Sequence, residues 1–224
     1  MEPVAIVLAF AAVTGFIVLV ALAVKRAEER RLAELQQVAA AMGFTFEGPA
    51  DAASLAASVG ALPLFERGHS RRALCVLRGA IAELPVVLTD YQYVTGSGKN
   101  RSVHTQTVAV FTDAGRGLPD FELRPEHLFH KIGQVFGYQD IDFEGQEEFS
   151  KRYLLRGSDE AAVRAAFGPQ ALAFLTGQPG WSVQTREGRL AVFRERKRAK
   201  PPTMPAFLAE ALRVAGALSP RGAS

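Results

Sequence analysis

The chain has 224 residues, 48% of them apolar and 22% charged, with a formal net charge of +3. That supplies a sizeable core for one globular domain, and the mild basicity is far from that of a dedicated nucleic-acid binder. A single cysteine, Cys75, excludes an intrachain disulfide and a multi-cysteine metal centre.

The first segment, Pro3 to Val24, reads PVAIVLAFAAVTGFIVLVALAV and carries no charge. As a helix rising about 1.5 Å per residue it crosses a hydrocarbon core of about 30 Å. Ahead of it stand only Met1 and Glu2; behind it come Lys25, Arg26, Arg30 and Arg31. Basic residues stay on the cytoplasmic side, so the pattern predicts an uncleaved single-pass anchor with the remainder in the cytoplasm. A cleaved signal peptide competes, with ALA at Ala21–Ala23 as its cleavage site. It would need a basic leading region and a shorter apolar core. Ala11 and Gly15 form a small-xxx-small pair, a spacing that lets two such helices approach.

The helix continues through KRAEERRLAELQQVAAAMG, where Leu32, Leu35, Val38 and Met42 recur at helical spacing and Gly43 is a natural stop. This reads as a stalk packed on its own domain. Beyond Phe44, FTFEG, LPLFERG and RALCVLRG read as strands, with a short helix over Asp51 to Val59 capped by Asp51. Within RALCVLRG, Cys75 reads as a small buried hydrophobe rather than a nucleophile. Two long strands, Pro85 to Thr95 and Ser102 to Thr112, flank GSGKNR. A strand at Phe121 to Pro125 precedes a helix from Pro125 or Glu126 to Phe136. A strand at Arg152 to Arg156 follows, then a helix over Asp159 to Phe167 capped by Ser158, and another after Pro169. Trp181 to Thr185 and Arg189 to Arg194 form a hairpin about Glu187–Gly188, and a last helix runs from Met204 to Leu218.

Short turns between strands argue for an α+β domain: one N-terminal transmembrane helix, a mainly antiparallel sheet and packed helices. The organisation is an anchor (1–24), a juxtamembrane helix (25–43), a cytoplasmic domain (44–195), and a basic linker with a C-terminal helix (196–224).

The letters GSGK invite a phosphate-loop reading, and the spacing refuses it. A Walker loop needs a glycine where Tyr93 stands and a hydroxyl where Asn100 stands. It also needs a following helix to aim amides at phosphate, and SVHTQTVAVF is a strand. The tip still presents Lys99 and Arg101. His127 and His130 lie one turn apart on the predicted helix, with Asp140 and Asp142 near in sequence. They are the best foothold for a metal site or an enzyme, although the order is not H-E-x-x-H. No nucleophile elbow is present. Asp90, Asp140, Asp142 and Asp159 could each serve an enzyme, and nothing pairs them.

The strongest electrostatic feature is Arg186 to Lys200, with seven basic and two acidic residues. Its dense end holds Arg194, Arg196, Lys197, Arg198 and Lys200. After it, Phe207, Leu208, Ala211, Leu212, Ala215 and Leu218 share one helical face. One reading is a solvated linker and a helix packed on the domain. The other is contact with anionic lipid by the basic segment, together with Lys99 and Arg101. Nucleic acid is disfavoured, since no binding motif accompanies the charge.

The stretch Leu118 to Phe167 contains LPDFELRPE, DIDF, EFSKRYLLRG and DEAAVR. With the preceding YQYVTGSGKNRSVHTQTVAVF, it resembles a family of uncharacterised bacterial membrane-anchored proteins. The resemblance implies a bacterial inner-membrane protein; it carries no activity and no catalytic residue. The reading is a membrane-tethered interaction or sensing module without catalysis or cofactor, meeting a protein partner whose identity the sequence leaves open. The alternative is an enzyme or metal protein built on His127, His130, Asp140 and Asp142.

Overall fold

The computed structural model describes residues 3–126 and 140–218. Helix α1, Pro3–Ala41, is continuous and about 58 Å long at 1.5 Å per residue. Its two parts face different surroundings. Between Val7 and Val24 the described apolar side chains touch no core: Phe10 is 77% exposed and Phe16 69%. The helix is long and apolar enough to cross a membrane by length and composition. From Glu28 onward one stripe turns inward, through Arg31, Leu32, Leu35, Val38, Ala39 and Met42, at spacings of three and four. Gly43 ends the helix at φ 72°. Phe44 N–H returns to Ala39 O (2.8 Å) and Gly43 N–H to Ala40 O (3.1 Å), a Schellman closure.

Eight described strands form one antiparallel sheet in the order β1-β2-β3-β4-β8-β7-β5-β6. They are β1 (Thr45–Asp51), β2 (His69–Ile81), β3 (Leu84–Thr95), β4 (Ser102–Phe111), β5 (Phe121–Pro125), β6 (Tyr153–Gly157), β7 (Ser182–Arg186) and β8 (Arg189–Phe193). Two-residue turns close two of the hairpins, with φ positive at both central residues: Ala82 and Glu83 between β2 and β3, Glu187 and Gly188 between β7 and β8. That is the turn whose twist matches the strands it joins.

Helices cover both faces: α2 (Ala52–Val59), α3 (Pro63–Glu66), α4 (Glu147–Ser150), α5 (Glu160–Ala166), α6 (Pro169–Gly177) and α7 (Met204–Ala217). Strand alternation sorts the core into two clusters. On one face Cys75, Leu77, Leu88, Ala109 and Val192 pack with Leu35 of α1, Leu175 of α6, and Leu208 and Ala211 of α7. On the other, Val76, Val87, Val108 and Phe193 lie under Leu55 of α2 and Phe65 of α3. The C-terminal helix is therefore part of the main core.

Two local expectations change. LPLFERG forms helix α3, not a strand, because Pro63 cannot donate into a ladder and suits a first helical position. Asp159, not Ser158, caps α5, its carboxylate accepting from Ala162 N–H at 3.0 Å. The body of the helix expected from Pro125 or Glu126 to Phe136, residues 127–136, lies outside the described residues.

Candidate functional site

The sheet carries a buried carboxylate in the middle of a long strand. Asp90 stands in β3 with 0% exposure, on the face along which α1 runs, since it is two residues from Leu88. Its Oδ2 accepts from Arg31 (Nε 3.1 Å, Nη2 2.6 Å) and from Arg198 Nε (2.8 Å). Its Oδ1 accepts from Thr107 Oγ1 at 2.5 Å. Arg198 turns its other edge to Glu28, with Nη1 at 2.8 Å from Oε2 and Nη2 on Oε1. The backbone joins in: Arg31 Nη2 donates to Ala199 O (2.7 Å) and Ala199 N–H to Thr107 Oγ1 (2.8 Å).

Two guanidiniums and two carboxylates thus bind α1 to the sheet and to the segment after β8. Burial works against charge on Arg198; its hydrogen bonds and attraction to Glu28 and Asp90 outweigh that and raise its pKa. A buried carboxylate needs this kind of pairing, since alone it would neutralise or destabilise the fold.

A second ion cluster lies on the opposite face. Arg67, just after α3, donates to Glu195 (2.7 Å) and to Glu122. Gln184 Nε2 donates to Glu122 Oε1 (3.0 Å), and Gln184 Oε1 accepts from Leu64 N–H (2.8 Å), which seats α3. Arg124 lies 3.6 Å from Glu122 and 3.4 Å from Glu195. Burial lowers the Arg124 pKa, and neighbouring Arg67 lowers it further. The Arg124 Nε and Nη2 and the Tyr93 hydroxyl make no hydrogen bond.

The basic residues singled out from sequence divide into two groups. Arg194 lies 4.1 Å over the ring of Trp181, just before β7, and 3.3 Å from Glu210, linking α7 to the β7–β8 hairpin. Arg198 belongs to the clamp. These two serve the fold. Arg196 is exposed, and its Nε donates to His104 Nδ1 at 3.1 Å. With Nδ1 accepting, His104 Nε2 carries the proton and donates to Thr95 Oγ1 (2.7 Å). Burial, then Arg196, lowers the His104 pKa and favours this neutral ring. Lys197, Lys200, Lys99 and Arg101 are exposed. Among the described residues none of these four, nor Arg196, forms an ion pair.

GSGK is a hairpin tip. Thr95 pairs with Ser102, and the turn contains Gly96 at φ 68° and Gly98 at φ 53°. A Cβ on Gly96 would stand 2.4 Å from Asn100 O, so the turn itself demands glycine.

Of the metal candidates, His127 and His130 lie outside the described residues. Asp140 stands 4.0 Å from Arg156; burial raises its pKa against the pull of Arg156. The Asp142 carbonyl accepts from Arg164 at 2.5 Å. Among the described residues no three His, Cys, Asp or Glu side chains are placed to hold a metal ion. An open depression of about 520 Å³ lies between Gly117–Asp120 and α5. Its carboxylates are engaged: Asp120 accepts from Glu187 N–H and Asp159 caps α5. Cys75 is buried, and burial pushes its thiol up to about 12, so the thiolate needed for nucleophilic chemistry is absent near neutrality.

Sequence reading flagged Asp90 as a lone acid and missed its role. A charge between Leu88 and Tyr91 in an apolar strand is the signal that it must be paired. Its partners, 59 and 108 residues away in sequence, carry no local sign.

No family model matches the chain, and no curated protein matches it. Among solved structures, the fold is similar to the crystal structure of the mycobacterial trehalose monomycolate transport factor A, TtfA. The TM-score is 0.58 at 16% identity, over 86% of this chain and 92% of that one. The likeness is one of fold alone; in this chain that fold is a long apolar N-terminal helix followed by an α+β domain on an eight-stranded antiparallel sheet.

Proposed function

We propose that this protein is a single-pass, membrane-tethered accessory factor whose cytoplasmic domain acts by binding rather than by catalysis. The observation that carries the reading is the clamp. The described side chains in the apolar part of α1 stay exposed, and a few residues later the same helix is fixed to the sheet through Arg31, Asp90, Arg198 and Glu28. A flexible linker would leave a tethered domain free to tumble; a continuous helix with a buried ionic clamp holds it at one orientation to the bilayer. Such rigidity suits a module that meets a membrane-embedded protein partner at a set height. The fold shared with a trehalose monomycolate transport factor supports an accessory role in transport. The bacterial inner membrane is the placement that the motif resemblance and the basic flank of α1 favour.

The test is threefold on the full chain expressed in a bacterial host. Intact mass should retain residues 1–24, carbonate washing should leave the chain in the membrane pellet, and a C-terminal tag should be digested only in inverted vesicles. Loss of residues 1–24, or digestion in intact spheroplasts, would refute the anchor or its orientation. Photo-crosslinking from exposed domain positions should then give one discrete adduct with an integral membrane protein. Substrate turnover abolished by a single pocket substitution would refute the non-catalytic reading.

A further inference from the structure

The clamp fixes more than one helix; it sets which end of the sheet faces the bilayer. Three checkpoints orient β3 against α1. Phe44, just past the end of α1, lies against Gly79, whose strand partner is Val86. Arg31, higher on the helix, meets Asp90. Glu28, higher again, is within electrostatic reach of Arg72, whose strand partner is Gln92. As α1 runs back toward its apolar part, β3 runs forward from Val86 to Gln92. The two elements are antiparallel, and the β3–β4 tip points where the apolar helix goes.

The reach is sufficient. From Arg31 back to Val24 the helix rises about 10 Å. From Asp90 to Thr95 the strand advances about 17 Å. At any inclination of strand to helix up to about 50°, at least the roughly 10 Å needed remains along the helix axis. The strand is therefore long enough to bring the tip level with the end of the apolar segment.

What stands there is basic with one apolar point. The tip carries Lys99 and Arg101; beside it the start of β2 brings His69, Arg71 and Arg72, since His69 is the partner of Val94. The segment after β8 adds Arg196, held to His104, and Lys197, whose carbonyl accepts from Thr107 N–H at 3.0 Å. Arg71 and Arg72 hydrogen-bond neutral oxygens, on Phe65 and Gln92. Among the described residues none of these lysines and arginines forms an ion pair. Val103, 46% exposed, is the large apolar side chain exposed outside α1 among the described residues. By strand alternation it shares the face of Thr107, the one along which α1 climbs.

We infer that this end of the domain, formed by the β3–β4 tip, the start of β2 and Arg196–Lys197, is a second membrane contact that binds anionic lipid headgroups in the leaflet α1 enters. The inference rests on the anchored reading above. The cations meet phosphate at headgroup depth, and Val103 reaches the interface between tip and helix. Lys99, Arg101, Arg196 and Lys197 come from two chain segments about ninety residues apart, and the sheet makes them one surface. Each neutralised cation should weaken headgroup contact about fivefold at low salt.

The test uses the full chain in vesicles of phosphatidylcholine, with or without phosphatidylglycerol. Single cysteines carry a fluorophore, the buried Cys75 staying unlabelled. Asn100→Cys reports the tip, Glu83→Cys the opposite end of the sheet, and Phe16→Cys the span. Quenching by headgroup-labelled and tail-labelled nitroxide lipids gives depth. The expected result is tail quenching at Phe16→Cys and headgroup quenching at Asn100→Cys that needs phosphatidylglycerol. The tip signal should fall in high salt and with Lys99→Gln/Arg101→Gln/Lys197→Gln, while Glu83→Cys stays unquenched. Tail quenching at Phe16→Cys with Asn100→Cys no closer than Glu83→Cys overturns the lipid contact and leaves the anchor standing. Absence of tail quenching at Phe16→Cys overturns the anchor and the contact with it.

Discussion

Asp90→Asn tests the clamp most directly. The substitution keeps the shape of the side chain and one acceptor oxygen, but removes the charge that faces Arg31 and Arg198. Asp90 is 0% exposed and receives Arg31 Nη2 at 2.6 Å, Arg198 Nε at 2.8 Å and Thr107 Oγ1 at 2.5 Å. Breaking a buried ion pair from one side costs about 3–5 kcal/mol, because the partner charge stays buried. Here Arg198 keeps Glu28 and the asparagine keeps an acceptor, so the lower end, about 3 kcal/mol, is expected. For a domain of this size that lowers Tm by about 6–12 °C. The assay is thermal unfolding of the full chain in detergent, followed by tyrosine and tryptophan fluorescence, with limited trypsin digestion below the transition. Undocking of α1 should free Arg31 from the clamp and loosen the helix around the already exposed Arg26 and Arg30, speeding cleavage there. A double-mutant cycle with Arg31→Met should show coupling of about 1–3 kcal/mol. A variant within about 1 kcal/mol of the parent, with unchanged cleavage, would refute the claim that this carboxylate holds the helix.

Three further outcomes follow from the geometry. His104 has a folded pKa below its ordinary 6.5, so the unfolded chain takes the proton first. Its contribution is full above about pH 6.5 and is lost as the pH falls through the depressed value; a His104→Gln variant should show a flatter Tm curve in that window, and an unchanged slope would sink the assignment. The Cys75 thiol, pushed up to about 12, should ignore a disulfide reagent in the native state and react fully once unfolded; rapid native labelling would contradict its burial. Gly68 sits at φ +60°, and an added Cβ would lie 2.2 Å from Val94 O. Gly68→Ala should therefore cost about 1–3 kcal/mol or more by chemical denaturation, and a neutral effect would mean the turn into β2 is built otherwise.

Much of the architecture is written in local sequence. The apolar run of α1, the stripe Leu32–Leu35–Val38–Met42, the glycines of the β3–β4 tip and the Glu187–Gly188 turn each act through neighbours a few residues away. Helical period, strand alternation and positive-φ turns are local physics, so reading them needs no fold. LPLFERG was the exception: its apolar content suited a strand, and the outcome turned on Pro63 and on Gln184 receiving Leu64 N–H from 120 residues away. The candidate site was of the other kind. Asp90 could be seen as an acid in an apolar strand, but Arg31 and Arg198 approach it from opposite ends of the chain. In the same way one basic run, Arg194 to Lys200, was divided by the tertiary structure: Arg194 and Arg198 went to packing and pairing, Arg196 and Lys197 to the end of the sheet shared with Lys99 and Arg101. Charge is legible in sequence because it belongs to a residue. Which charges are neutralised and which stay free depends on distances across the fold, and only the packing of α1, the sheet and the segment after β8 decided that.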